Sequence, residues 1–221
     1  IPYKLRGSVY YKNGPGRFHD SLRYGLLDGS GVIVSIVFEK NGDIKYQSKP
    51  VVTSDYKAKS YDRRAGAFAQ CESGMRDFFR GTFNAANTSV IPIHKSNRVL
   101  ACFDGGIPYV LDAQTLDTIE PMQGLKEGTA PLQVPFLESD AVCPHVIPPY
   151  ILSTRYNLNA STRVAIFKIE NGPIAKEIYT LRVPSIMYAH DYLIIDETLI
   201  FFHHPLRLSS DALIKCAGIV H

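Results

Sequence analysis

Apolar and polar positions along this chain change places quickly, and the runs they form are short. Gly31-Val32-Ile33-Val34-Ser35-Ile36-Val37-Phe38 is apolar and β-branched, and predicts a buried strand. Lys40-Asn41-Gly42-Asp43 follows, and Asn-Gly supplies the positive φ angles of a tight hairpin. Ile44 to Ser48 then alternates as the return strand. Ser54 to Phe83, rich in Lys, Arg, Asp and Ala, predicts loop and a short helix. Strand patterns resume at Ser89–His94, Val99–Phe103 and Pro108–Leu111. Asn97 marks the first turn between them and Gly105-Gly106 the second. Asp112 to Leu116 predicts a further turn, and residues 120–135 an exposed loop. Five more strands are expected at Tyr150–Tyr156, Arg163–Ile169, Glu177–Val183, Tyr192–Ile195 and Leu199–Phe202. Asn171-Gly172-Pro173 and Asp196-Glu197-Thr198 separate neighbours among them.

Turn residues recurring every roughly 8–12 positions, with little helix, predict an all-β sandwich, barrel or propeller. Successive antiparallel hairpins favour the propeller. No linker divides the chain, so residues 1–221 are expected to form a single domain.

Composition sharpens this in a few places. The 24 Lys and Arg against 21 Asp and Glu leave a formal charge of +3, too thin for a phosphate-neutralising nucleic-acid binder. Hydrophobic residues at 45% and charged residues at 20% suit a folded chain. Thirteen Tyr and eleven Phe, with 16 Gly and 14 Pro, suit short strands and tight turns. No apolar run approaches the roughly 20 residues of a membrane-spanning helix. There is no basic-then-apolar leader, and Ile1 opens the chain, as expected of a processed form or a fragment. Cys71, Cys102, Cys143 and Cys216 are scattered without a C-x-x-C pair, which favours a reducing, cytoplasmic setting over a disulfide scaffold. Asn87-Thr88-Ser89 and Asn159-Ala160-Ser161 match the glycosylation triplet, a pattern that chance produces often.

Several segments carry more specific information. Gly7 to Phe18 contains Lys12-Asn13-Gly14-Pro15-Gly16, and Leu27-Asp28-Gly29-Ser30-Gly31-Val32-Ile33 follows. Then come Asn87-Thr88-Ser89-Val90 and Ala101-Cys102-Phe103-Asp104-Gly105-Gly106-Ile107-Pro108-Tyr109-Val110-Leu111-Asp112, continued by Thr115-Leu116-Asp117-Thr118. Ala141-Val142-Cys143-Pro144-His145-Val146 and Tyr188-Ala189-His190-Asp191-Tyr192 complete the set. In order and spacing these resemble segments of the carotenoid cleavage oxygenases, the family that includes stilbene-cleaving dioxygenases and the retinoid isomerase of the eye. The likeness runs from about Leu5 to Leu206 and covers roughly the first half of a typical member.

The resemblance implies a partial seven-bladed β-propeller of about three to four blades, with short helical and loop insertions. It implies a non-haem Fe(II), held on the propeller axis by four histidines, that splits a double bond of a carotenoid, apocarotenoid or stilbene-like substrate with O2. Imidazole ligands and open coordination positions suit that chemistry, and an apolar tunnel suits an apolar polyene or aromatic alkene. His190, before Asp191-Tyr192, matches the family's second metal histidine; its other reading is a satisfied histidine at a strand start. Cys143 stands where the first ligand histidine is expected. A thiolate binds iron, but a buried, inert cysteine is the alternative. His145 lies two residues on, the spacing that shares a strand face, and is a candidate shifted ligand. Asp104 stands where the family has a glutamate that orients a metal histidine, or else it serves the turn before Gly105-Gly106.

The family's later histidines lie in a half with no counterpart here. His203-His204, His221, His19 and His94 fall outside its motifs. Half a propeller leaves open flanks, which a second chain could complete. A catalytically dead or truncated relative that binds an apolar ligand or a protein is therefore the alternative function. Peripheral contact with a membrane is a further expectation of the resemblance.

Overall fold

The computed structural model describes residues 1–18, 29–58, 84–125, 141–142, 148–156, 161–170, 174–184, 191–196 and 198–201. Four antiparallel sheets account for most of them. The first holds β1 (Ser8–Arg17), β2 (Ser30–Phe38) and β3 (Ile44–Pro50) in sequence order. A one-turn helix, α1 (Ser54–Lys57), follows, with the Thr53 hydroxyl accepting from the Tyr56 N–H at 3.0 Å as its cap. The second sheet holds β4 (Ser89–Pro92), β5 (Arg98–Phe103), β6 (Gly106–Asp112) and β7 (Thr118–Pro121). The third holds β8 (Ala141–Val142), β9 (Tyr150–Tyr156), β10 (Thr162–Glu170) and β11 (Ile174–Val183), and the fourth pairs β12 (Tyr192–Ile195) with β13 (Thr198–Phe201).

The sheets pack face on face in a row, and alternation along each strand builds the row. On β5, Val99 and Ala101 turn toward the first sheet, where Ile33, Val51 and Tyr109 also bury. Leu100 and Cys102 turn to the other side and meet Ile151, Ala165 and Phe167 of the third sheet. Leu152 and Val164 point away from that cluster and pack with Tyr192, Ile194, Leu199 and Phe201 of the fourth. A strand with apolar residues at both odd and even positions can cover two neighbours at once. A bulge on β11 makes this work: Ile166 faces Tyr179 while Phe167 faces Glu177, so Ile178 is the extra residue. Side chains beyond it change faces, with Ala175 on the second-sheet side and Leu181 and Val183 on the fourth-sheet side.

Most expected strands are present within a residue or two of their predicted ends. Several details differ, among them β8, where no strand was expected, and β11, which starts at Ile174 and not Glu177. β1 is not among the predicted strands; as an edge strand it tolerates Pro15, which has no N–H to offer a partner. The β2–β3 turn uses three residues, Lys40 to Gly42, and only Gly42 takes positive φ, at 99°. Asn41 instead accepts from the Asp43 N–H through Oδ1 at 3.0 Å. The β5–β6 turn is Asp104-Gly105, with Gly106 paired to Phe103. Thr118–Pro121, whose last residues fell in the expected loop, is a strand, and Met122 beyond it is buried. The expected helix or loop over 59–83 and most of the 120–135 loop lie outside the described residues. No described helix is long and apolar enough to cross a membrane.

Candidate functional site

The β5–β6 hairpin tip is where the described structure meets the predicted chemistry. Asp104 sits in the two-residue turn and is half-buried. It lies within electrostatic reach of Cys102, whose thiol is pushed up to about 12, first by burial, against a hydrogen bond with Ser89, with Asp104 adding to the rise. Cys102 is therefore a neutral thiol inside the core, without the thiolate character that a ligand or nucleophile needs.

Asparagines build the floor under this tip. Asn84 donates through Nδ2 to the Ile107 carbonyl at 2.9 Å and accepts through Oδ1 from the Ala86 N–H at 3.1 Å. Its own N–H donates to Asp55 at 2.7 Å. Asn13 donates to the carbonyls of Ala86 and Ser89, at 2.8 and 2.9 Å, tying β1 to the entry of β4. Asn87 donates to the Gly29 carbonyl at 2.7 Å and is buried, so its triplet is structural in the folded chain and offers no acceptor to a glycan. Gly106 is confined by the same network, since a Cβ there would come 2.7 Å from Asn84 Nδ2. Asn13 and Asn87 fall in the segments that carry the family likeness, and Asn84 lies just before one of them. Sequence reasoning singled out the segments and overlooked the amides, because an Asn in a turn carries no signal of which distant carbonyl it will meet.

Of the three predicted site residues, only Asp104 is described. Cys143 and His190 lie outside the described residues, as do His145, His203 and His204. Their covalent neighbours are informative. Cys143 follows β8 directly, and β8 packs against β5 and β6, the two strands of the Asp104 hairpin. His190 precedes Asp191, whose Oδ1 accepts from the Tyr192 N–H at 2.8 Å. Tyr192 is buried and its hydroxyl donates to the Tyr150 carbonyl at 2.9 Å. Both candidate ligands thus adjoin the first strand of a sheet. His94 is exposed in the turn after β4.

Among the described residues no three His, Cys, Asp or Glu side chains come together, so they supply no ligand set for iron. A cavity of about 250 Å³ lies between the third and fourth sheets, lined by Tyr150, Ile166, Ile178, Ile194, Asp196 and Leu199. It is smaller than the usual pocket for a drug-sized ligand.

Against known proteins, the retinal pigment epithelial membrane protein (RPE65) model matches residues 1–219. The chain belongs to that family, the carotenoid cleavage oxygenases. An apocarotenoid-15,15'-oxygenase of Synechocystis is 27% identical over 223 residues, which is 95% of this chain and 44% of that protein. The chloroplastic carotenoid cleavage dioxygenase 7 of Oryza sativa subsp. japonica is 33% identical over 132 residues, 55% of this chain and 21% of that one. An isoeugenol monooxygenase of Pseudomonas putida is 30% identical over 121 residues, 53% of this chain and 24% of that one. A solved Glu-to-Gln variant of the Synechocystis apocarotenoid oxygenase superposes with a TM-score of 0.73 at 23% identity, covering 98% of this chain and 47% of that chain. That likeness establishes a shared fold. The chain spans less than half the length of the relatives it matches.

Proposed function

We infer that this carotenoid cleavage oxygenase relative contributes one part of an oxidative alkene-cleaving centre, acting on an apolar polyene or an aromatic alkene. The observation that carries this reading is the family match over residues 1–219. The named relatives widen it: an apocarotenoid oxygenase, a carotenoid dioxygenase and an isoeugenol monooxygenase all have substrates with a conjugated carbon–carbon double bond. In this reading the four sheets are successive blades of an incomplete propeller, seven-bladed in the family that the sequence resembles.

An Fe(II) there would supply dioxygen activation. Within this chain, His190 would hold it through one imidazole nitrogen, with Cys143 or His145 as a second donor. Asp104 would act as a positioning residue, accepting the other ring N–H of a ligand imidazole and fixing its tautomer. The apolar sheet faces would exclude water and orient a substrate with few polar handles. The remaining ligands belong to another chain or to further sequence. A reducing cytoplasmic setting, with peripheral contact with a membrane, completes the proposal; Cys102 is a free thiol.

Iron content of the purified chain, with O2 uptake on adding an apocarotenoid, tests this. Bound iron that His190→Ala removes and Cys102→Ser leaves in place supports the reading. A second reading, a non-catalytic module for apolar ligands, is favoured by Cys143 at a ligand position. It predicts polyene binding unchanged by an iron chelator. Polyene binding without iron, and without O2 uptake, would replace the first reading with the second.

A further inference from the structure

The dipeptide Asn-Gly occurs three times in the chain, at Asn13-Gly14, Asn41-Gly42 and Asn171-Gly172. The third lies outside the described residues, and the other two meet opposite surroundings. In such a pair the glycine nitrogen reaches the preceding side-chain amide easily, because glycine has no Cβ to obstruct the approach. Asn13 is buried within β1, at 9% exposure. Its Nδ2 donates to the Ala86 and Ser89 carbonyls at 2.8 and 2.9 Å, and its Oδ1 accepts from the Gly14 N–H at 2.9 Å. Both ends of the amide are therefore held, and the Gly14 nitrogen keeps its proton in a hydrogen bond.

Asn41 is restrained only locally. It is exposed in the β2–β3 turn, and both ends of its amide bond one neighbour. Nδ2 donates to Asp43 Oδ2 at 2.7 Å, and Oδ1 accepts from the Asp43 N–H at 3.0 Å. The Gly42 N–H donates to the Glu39 carbonyl at 3.0 Å. All three bonds belong to one surface turn and part together when it opens. Turn tips open at low free energy, whereas bonds that tie a strand to a neighbouring sheet open only near global unfolding.

We propose that Asn41 is a site of spontaneous covalent modification, converting to aspartate and its β-linked isomer when the β2–β3 turn opens, while the fold protects Asn13 in the same dipeptide. In the open turn the Gly42 nitrogen gives its proton to solvent hydroxide and attacks Asn41 Cγ. The N–Cγ bond forms, the Cγ–Nδ2 bond breaks, and ammonia leaves with a proton from water. Water then opens the cyclic imide at either of its two carbonyls. Asp43 is the restraint, since its carboxylate and its N–H hold the two ends of the amide. The product carboxylate has no N–H to donate to Asp43 and places a second negative charge beside it, so the turn loosens. At Asn13 the same product would aim a carboxylate at the two carbonyl oxygens that tie β1 to the entry of β4. Protection thus falls where conversion would cost a contact between sheets. This inference rests on the two amide environments and does not depend on the oxygenase reading.

Peptide mapping by mass spectrometry after timed incubation in mildly alkaline buffer is the test. It is run on the folded chain and on the chain in urea, with circular dichroism to confirm that Asp43→Ala folds. In urea both asparagines are expected to convert. In the folded chain Asn41 still converts, and Asn13 is slower by at least about tenfold, as a site that must await global unfolding. Asp43→Ala speeds conversion at Asn41 by about threefold, the worth of a surface hydrogen bond, and leaves Asn13 unchanged. An Asn41 that stays intact in the folded chain overturns the proposal, because the turn is then as closed as the strand. Equal rates at Asn13 and Asn41 in the folded chain also overturn it. An Asp43→Ala rate no greater than that of the wild type overturns the role given to Asp43.

Discussion

Gly31 is a residue whose identity the packing dictates. A Cβ at this position would lie 2.2 Å from the Ala86 carbonyl oxygen, and the Gly31 N–H donates to the Ala85 carbonyl at 2.7 Å. Backbone cannot yield as a flexible side chain can, so Gly31→Ala forces the first two sheets apart. We expect a loss of about 2–3 kcal/mol, read as a lower urea midpoint at unchanged slope. Cys102 makes the opposite point about reactivity. With its thiol held up at about 12, peptide mapping after treatment with a maleimide at pH 8 should find Cys102 unlabelled in the folded chain and labelled in urea. Labelling at the rate of a free thiol in the native state would refute the buried neutral form. Both residues sit in segments that the sequence marked as informative. Neither neighbour was legible, because Ala86 lies 55 positions beyond Gly31 and only folding brings them together.

At the scale of elements, the turn after β6 shows how one carboxylate stabilises a hairpin. Asp112 Oδ1 accepts from the N–H groups of Gln114 and Thr115, both at 2.9 Å, and Oδ2 accepts from Arg98 at 2.8 Å and Asn97 at 3.0 Å. The backbone bond from Thr115, those from its neighbours and the Arg98 charge hold the carboxyl below its ordinary value despite partial burial. A depressed folded value means that this stability is present above the unfolded value near 3.8 and is lost as pH falls through the folded one. Asp112→Ala should cost about 1–2 kcal/mol at pH 7. The gap between wild type and variant, measured by urea melts, should narrow as pH falls below 3.8. A gap that stays constant down to pH 2 would refute the role. The turn itself was legible from Asp112-Ala113-Gln114-Thr115-Leu116. That Leu116 takes φ of 61° was not; its completely buried side chain holds it in a conformation β-unbranched residues visit rarely.

At the scale of the molecule, the second sheet is the partition on which two cores rest. Leu100 belongs to the cluster shared with the third sheet, while Val99 beside it belongs to the cluster shared with the first. Leu100→Ala should therefore cost about 2–5 kcal/mol. Because β5 serves both clusters, the loss should appear as one shifted transition by circular dichroism and by Cys102 labelling alike. Two separated transitions would show that the sheets unfold independently. The family likeness was legible in ordered segments spread along the chain, since each is a turn or strand whose residue types are locally constrained. The meeting of β5 and β6 with the strand that leads into Cys143 was not, because sheet contacts join residues far apart in sequence.

By itself the sequence determined most of the strands, some of their turns and the family, and it named the three residues on which the proposed chemistry rests: Asp104, Cys143 and His190. Alternation, turn chemistry and local motifs are short-range properties, and a linear chain displays them directly. Tertiary structure alone decided that the sheets stand in a row and that a bulge at Ile178 turns β11 from one core to the next. It also decided that buried asparagines bind the first sheet to the second. Those outcomes depend on which distant faces exclude water together, a quantity that no local stretch of sequence contains.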